Sequence, residues 1–95
     1  MSGDRKTLSL RITGRVQGVG YRAWLAGRAE AAGLDGWVRN RRDGSVEALL
    51  SGPADAVDGV AAACRRGPNL ALVDRVQMAE AEPPDHPGFA QWPTL

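Results

Sequence analysis

The sequence is poor in cysteine and histidine and has no long hydrophobic run. With Cys64 as its only cysteine, the chain cannot close an intramolecular disulfide or build a cysteine-based zinc site. No stretch of about 18 apolar residues occurs, so we expect no transmembrane helix. The polar start at residues 1–6 lacks the apolar stretch of a secretory signal. These features suit a reducing compartment, and we expect a cytoplasmic protein.

A strong excess of one charge is also missing. The 12 basic and 11 acidic residues leave a net charge of +1, which argues against strong non-specific contact with nucleic acid. All but one of the basic residues are arginines, and arginine presents a planar fork of donors that suits phosphate or carboxylate. On charge alone, an anion-binding role for these arginines and a solvated basic face are both open.

The length and the first half of the chain indicate one small domain. The 95 residues fit a single domain, which we predict to span 1–95 with 1–7 flexible. Apolar and polar residues alternate over 8–13, which is the period of a half-buried strand. From Tyr21 the apolar residues recur at helical spacing as far as Gly33, a natural C-terminal stop.

A hairpin is predicted after this helix. Residues 36–42 and 45–51 have the character of strands, and Asp43-Gly44 between them is a strong turn signal because glycine tolerates positive φ. The two strands are therefore expected to be antiparallel.

A second helix and two more strands complete the pattern. The helix begins near Pro53 and ends at Gly67, with Cys64 on its apolar stripe as a core residue. Strands are predicted over 72–79 and, more briefly, over 88–92. The order β-α-β-β-α-β with a short C-terminal strand predicts an α+β, ferredoxin-like sandwich. Both helices would cover one face of an antiparallel sheet.

The connection between the first strand and the first helix is rich in glycine, with the sequence Gly-Arg-Val-Gln-Gly-Val-Gly over 14–20. The first N–H groups of a helix lack internal partners and carry partial positive charge. A glycine-rich turn can aim further N–H groups into the same concavity. Arg22 lies in the first helical turn, where its guanidinium can hold an anion at two points. The sequence therefore predicts a phosphate site at this loop.

Other interpretations of the loop differ in strength. Gly18, Gly20 and Ala23 match the G-x-G-x-x-A fingerprint of dinucleotide-binding folds, but Asp43 lies in a hairpin turn rather than after a parallel strand. A P-loop is excluded because no Gly-Lys-Ser/Thr follows the glycines. A tight structural turn without a ligand explains the glycines alone and stays open.

Three motifs together strongly resemble those of the acylphosphatase family. They are Gly-Arg-Val-Gln-Gly-Val-Gly-Tyr-Arg over 14–22, Gly-Trp-Val-Arg-Asn over 36–40, and Asp-Gly-Ser-Val-Glu over 43–47. The resemblance runs from about Leu8 to Val76, and it implies the ferredoxin-like fold predicted above. The end of the chain lacks a clear alternating strand, which leaves the length of the last strand open.

The resemblance implies hydrolysis of the mixed anhydride between a carboxylate and a phosphate, without metal or cofactor. Arg22 would bind the phosphate, Asn40 would orient the attacking water, and backbone amides of the loop would cradle the phosphate oxygens. The loop residues concerned are Val16, Gln17, Gly18, Val19, Gly20 and Tyr21. The partner would be a small acyl phosphate, with no nucleic acid and no membrane, and the chain would act as a monomer. The alternative is a non-catalytic phosphate-binding or anion-binding module of the same fold.

The remaining polar and aromatic candidates have simpler explanations. An asparagine inside a strand is unfavourable by propensity, so Asn40 has either a local role near the loop or begins the hairpin turn. His86 lies among prolines, far from any motif, and is predicted to be a solvated loop residue. The tryptophans are predicted to pack rather than to stack on bases: Trp24, Trp37 and Trp92.

Overall fold

The computed structural model describes residues 4–95, which form five strands and two helices. In chain order the elements are β1 (Arg5–Arg15), α1 (Tyr21–Ala31), β2 (Asp35–Asn40), β3 (Val46–Pro53), α2 (Ala54–Cys64), β4 (Leu72–Glu80) and β5 (Phe89–Gln91). The strands lie side by side in the order β4-β1-β3-β2-β5, and both helices pack on this sheet around one hydrophobic core. The predicted α+β, ferredoxin-like arrangement is confirmed.

One feature of the sheet differs from the prediction, because the sheet is mixed rather than antiparallel throughout. β1 pairs antiparallel with β3 and β4, and β2 pairs antiparallel with β3. β5 instead runs parallel to β2, with Ala90 opposite Trp37. A strand of three residues has too little alternation to indicate its direction. Its parallel pairing depends on the path of the loop over residues 81–88, which brings the chain to the edge of the sheet beside β2.

The strands turn alternate residues toward the helices, as their period of two requires. The largest fully buried side chains are Tyr21, Leu10, Ile12, Leu25, Leu50, Val16, Val38, Val46, Val57 and Cys64. The prediction that Cys64 is a core residue is confirmed, and its burial raises the pKa of the thiol to about 11. Cys64 is therefore a packed, protonated side chain at neutral pH rather than a nucleophile.

Several boundaries lie a few residues from their predicted positions. β1 begins at Arg5 rather than Leu8, because Arg5 pairs opposite Pro53 at the end of β3. Of the segment 1–7 expected to be flexible, residues 1–3 lie outside the described residues, and β1 includes 5–7. β2 ends at Asn40 rather than at residue 42, since the chain turns over five residues instead of two.

Charged residues occupy the face of the sheet away from the helices. Arg39 Nε and Arg41 Nη1 each donate to Oε1 of Glu47 at 2.9 Å. Burial alone would raise the pKa of the Glu47 carboxyl, but the hydrogen bonds and charges of the two arginines outweigh it and lower that pKa. Glu47 is therefore an anion that neutralises two of the early arginines.

Gly36 in β2 provides a test of how closely the sheet is packed. Its φ is 138°, and an added Cβ would lie 1.8 Å from the backbone oxygen of Leu49. We expect Gly36→Ala to lower the free energy of unfolding by more than about 2 kcal/mol, because the backbone strain adds to a clash that no side chain can relieve. Urea unfolding monitored by circular dichroism measures the change.

Gly27 in α1 is the matched control, because an added Cβ there meets nothing within 4 Å. Gly27→Ala should raise the free energy of unfolding by up to about 1 kcal/mol through helix propensity. Equal effects of the two substitutions would contradict the close approach at Gly36.

Candidate functional site

The glycine-rich loop, the start of α1 and the end of β2 surround a cavity of about 220 Å³. The residues that line it are Val16, Gln17, Gly18, Gly20, Tyr21, Arg22, Ala23, Asn40 and Gln91. Arg22 and Asn40, the two residues predicted to be catalytic, thus line the same space although one lies on a helix and the other on a strand. Asn40 is both the last residue of β2 and a cavity residue, so its two sequence interpretations are compatible.

The start of α1 presents unpaired backbone donors to this cavity. Gly20 precedes the helix with φ 80° and ψ 22°, a left-handed conformation that favours glycine, and no side chain caps the helix start. The first backbone hydrogen bond of the helix runs from the Trp24 N–H to the Gly20 carbonyl at 3.0 Å. The N–H groups of Tyr21 and Arg22 precede it and have no intrahelical acceptor. This arrangement suits an anion, because the helix N-terminus also carries partial positive charge.

Arg22 is half-buried, and the end of the chain holds its guanidinium. Its Nη1 donates to the backbone carbonyl of Trp92 at 3.1 Å. Within the described residues 4–95, the ion pairs of the arginines involve Arg11, Arg39 and Arg41, not Arg22. Arg22 therefore combines an oriented side chain with a positive charge that no carboxylate neutralises.

The side chain of Gln17 joins the glycine-rich loop to the β2–β3 hairpin. Its Nε2 donates to the backbone carbonyls of Arg41 at 2.7 Å and of Ser45 at 2.9 Å. The hairpin turn is itself stabilised by Asp43, whose Oδ1 accepts from the Ser45 N–H at 2.9 Å and hydroxyl at 2.6 Å. Because Arg41 directly follows Asn40, the Gln17 amide fixes the loop relative to the strand end that carries Asn40.

The C-terminal segment holds β2 from its other side. The Trp92 N–H donates to the Val38 carbonyl at 2.8 Å, and the Leu95 N–H donates to the Asn40 carbonyl at 3.0 Å. The Arg42 N–H donates back to the Leu95 carbonyl at 2.9 Å. Asn40 thus has its backbone fixed by the chain end while its side chain borders the cavity.

Three of the predicted loop residues have side chains that pack in or against the core: Val16, Val19 and Tyr21. Val16 is 1% exposed, so its side chain belongs to the core. Val19 packs against that core and is not among the residues that line the cavity. The ring of Tyr21 is buried as well, and its hydroxyl donates to the Cys64 carbonyl. Burial raises the pKa of the Tyr21 phenol, which leaves it a structural group.

Sequence reasoning missed three contributions to the site. Gln91 lines the cavity from β5, a strand whose pairing the sequence does not reveal. Ala23 lines it simply because it follows Arg22 in the first helical turn. The hydrogen bonds of the Gln17 side chain connect residues more than twenty positions apart, and no local sequence pattern predicts them.

The cavity offers amide and guanidinium donors but no acidic, imidazole or thiol side chain among the residues that line it. His86 is exposed in the loop before β5, as predicted. Over residues 4–95 no group of three or more potential ligands among His, Cys, Asp and Glu is placed to hold a metal ion. In the same range, no helix is long and apolar enough to cross a membrane.

Comparison with known proteins agrees with this geometry. A family model described as acylphosphatase matches residues 8–91. The chain belongs to the acylphosphatase family. An acylphosphatase from Rhodospirillum rubrum is 53% identical over 90 residues, which cover 95% of this chain and 99% of that protein. An acylphosphatase from Rhodopseudomonas palustris (strain CGA009) is 64% identical over 74 residues, 78% of this chain and 74% of that protein.

Solved structures show the same relationship in three dimensions. An acylphosphatase from Coxiella burnetii superimposes with a TM-score of 0.89 at 29% identity, covering 94% of each chain. An acylphosphatase from Bacillus subtilis gives a TM-score of 0.86 at 33% identity, covering 90% of this chain and 97% of the other. The family resemblance predicted from the three motifs is confirmed.

The hydrogen bonds of Gln17 generate a prediction for this acylphosphatase fold. Gln17→Leu keeps the size of the side chain but removes both hydrogen bonds to the hairpin. We expect the free energy of unfolding to fall by about 1–3 kcal/mol. If the loop amides bind the anion as predicted from the sequence, binding of inorganic phosphate should weaken by up to about tenfold, because the amides would be misplaced. Urea unfolding and an NMR titration with phosphate measure the two effects.

Gln77→Leu is the control, since Gln77 is exposed on β4 and does not line the cavity. It should leave phosphate binding unchanged. If Gln17→Leu also leaves phosphate binding unchanged, the link between loop and hairpin does not position the loop amides.

Proposed function

We propose that the chain hydrolyses the carboxyl–phosphate bond of small acyl phosphates to a carboxylate and inorganic phosphate. The observation that carries this proposal is the shared cavity of Arg22, Asn40 and the uncapped start of α1. The sequence relatives described above, which are named acylphosphatase, support it. All residues of the proposed site come from one chain, which favours a monomer, and the free, buried Cys64 suits a reducing cytoplasm.

The donors of the cavity hold the phosphoryl group. Arg22 and the backbone amides of residues 16–21 donate to its oxygens, and they stabilise the negative charge that spreads over these oxygens in the transition state. The planar guanidinium can contact two oxygens at once. This pre-arranged electrostatic environment is the main source of rate acceleration in the proposed mechanism.

Asn40 orients the nucleophile. Its side-chain amide has both a donor and an acceptor, so it can hold a water molecule with a lone pair directed at phosphorus. The water oxygen forms the new P–O bond, the bond from phosphorus to the carboxyl oxygen breaks, and its electron pair leaves with the carboxylate. The water proton passes to an oxygen of the phosphoryl group itself, so the step balances without a protein base.

The leaving group explains why the cavity needs no acidic side chain. A carboxylic acid has a pKa of about 4, so the carboxylate departs without being protonated. An alkoxide is far more basic and would normally need a general acid, which contributes about 10²- to 10⁴-fold. A donor set of amides and a guanidinium therefore fits acyl phosphates and not alkyl monoesters.

A non-catalytic anion-binding module is the second candidate, because the same donors would bind phosphate without turnover. Release of phosphate from benzoyl phosphate by the purified chain separates the two. Hydrolysis above the spontaneous rate supports the enzyme, whereas phosphate binding without hydrolysis supports the module.

Substitutions at Arg22 and Asn40 should have different kinetic effects. Arg22→Ala should raise the inhibition constant of inorganic phosphate by at least about tenfold, because each charged hydrogen bond contributes about 1.5–3 kcal/mol. Arg22→Lys should lose much of the affinity too, since an ammonium cannot make the planar two-point contact. Asn40→Ala should abolish most turnover while leaving phosphate affinity nearly intact. Steady-state kinetics with benzoyl phosphate and phosphate inhibition measure these changes.

Arg65→Ala and Asn69→Ala are the matched controls, because both side chains are exposed and neither lines the cavity. Both should behave as the unsubstituted chain. Equal loss of binding and turnover in Asn40→Ala would mean that Asn40 shapes the phosphate cradle, and full activity would mean that it is only a turn residue. Unchanged phosphate affinity in Arg22→Ala would remove Arg22 from the site.

The leaving-group argument predicts the substrate class and the metal dependence. Benzoyl phosphate should be cleaved with strong preference over a simple alkyl monoester such as glycerol phosphate. Activity should persist with excess chelator and in His86→Ala, because the cavity lacks the carboxylate and imidazole ligands of a divalent cation. Phosphate release measured side by side on both substrates gives the preference. Comparable cleavage of the monoester, or loss of activity with the chelator, would point to an acid or a metal outside this mechanism.

A further inference from the structure

Trp92 connects the two faces of the sheet. Its ring stacks on the ring of Trp37 with centroids 4.5 Å apart and planes at 9°, on the face away from the helices. Its backbone N–H donates to the Val38 carbonyl at 2.8 Å, and its carbonyl accepts from Arg22 Nη1 at 3.1 Å. We infer that Trp92 is a positioning residue that holds the guanidinium of Arg22 ready for phosphate. This inference rests on the proposed role of Arg22.

The stack of Trp37 and Trp92 is itself held in place by the side chain of Arg39. The guanidinium carbon of Arg39 lies 4.9 Å from the ring centroid of Trp37 and 5.6 Å from that of Trp92. Arg39 is in turn anchored by its hydrogen bond to Glu47 at 2.9 Å. Aromatic and cation–π contacts of this kind are directional. They restrict the backbone of Trp92, and with it the direction of its carbonyl.

An oriented arginine binds an anion better than a free one. A guanidinium has five N–H donors, so one hydrogen bond to Trp92 leaves the others for a phosphate. Fixing this long side chain in advance removes part of the entropy cost of binding. A carbonyl achieves this without adding a negative charge beside the arginine.

Neither tryptophan lines the cavity, and Trp92 also lies outside the matched part of the family model. Trp37 and Trp92 are absent from the lining of the cavity, and Trp92 lies one residue beyond the match at residues 8–91. Neither ring can touch a phosphate in the cavity directly, so an effect of either ring on phosphate binding is indirect, and the presence or absence of Arg22 tests whether it acts through that side chain.

The experiment is a double-mutant cycle read by NMR titration with inorganic phosphate. Trp92→Ala should weaken phosphate binding by about three- to tenfold, a range set by the partial loss of one oriented contact. Trp37→Ala should do the same, because it removes the other half of the stack. In an Arg22→Ala background, Trp92→Ala should cause no further loss. Trp92→Phe, which keeps an aromatic ring on Trp37, should restore binding to within about twofold of the unsubstituted chain.

Several outcomes would overturn the inference. Unchanged phosphate affinity in Trp92→Ala would show that the carbonyl does not position Arg22. An equal loss in the presence and absence of Arg22 would show a general structural effect, which urea unfolding of the same variants would also register. Because the readout is phosphate binding, a chain that binds phosphate but fails to hydrolyse benzoyl phosphate would contradict the proposed function and leave this test intact.

Discussion

The ring of Tyr21 is buried under the first turn of α1, and its hydroxyl donates to the Cys64 carbonyl at the end of α2. An added Cβ at Gly67 would lie 2.7 Å from this ring, so the turn that follows α2 packs closely against Tyr21. The contact fixes the start of α1, because Tyr21 is its first residue. The unpaired N–H groups and Arg22 belong to the same helical turn, and their positions follow from this buried ring. An anion site made from a helix N-terminus needs such an anchor, since helix ends fray when nothing packs against them.

Asn40, at the end of β2, is joined to the glycine-rich loop and the start of α1 by polar contacts. Gln17 ties the loop to the hairpin after Asn40, and the chain end ties the Asn40 backbone from the opposite side. The core alone would not bring these parts into register, because apolar packing is not directional. Hydrogen bonds to specific carbonyls are directional, so they set the relative position of the loop and Asn40 more finely than packing could.

The sequence predicted what depends on local pattern. Alternation predicted β1, helical spacing predicted α1, and the change of period placed the helix start at about Tyr21, where the structure has it. The family resemblance carried by the motifs implied Arg22 and Asn40 as a pair of site residues, whereas the residues alone left the role of Asn40 open. The sequence did not predict the direction of β5, the position of Gln91 at the cavity, or the hydrogen bond from Arg22 to the Trp92 carbonyl. Each of these depends on a contact between distant parts of the chain, and a backbone carbonyl carries no residue-specific signal.

Four of the arginines fall into two electrostatic classes, those paired with carboxylates and the one held by a carbonyl. Arg39 and Arg41 share Glu47 at 2.9 Å, and Arg11 lies 3.7 Å from Asp43. Their charges are matched by carboxylates whose pKa values are lowered, for Asp43 chiefly by the Ser45 hydroxyl. Arg22 is held instead by a neutral carbonyl. A carboxylate in that place would compete with phosphate for the same donors, and a substrate would have to displace it. A carbonyl orients the guanidinium and leaves its charge available, so among these four arginines the choice of partner distinguishes Arg22 from the three that pair with carboxylates.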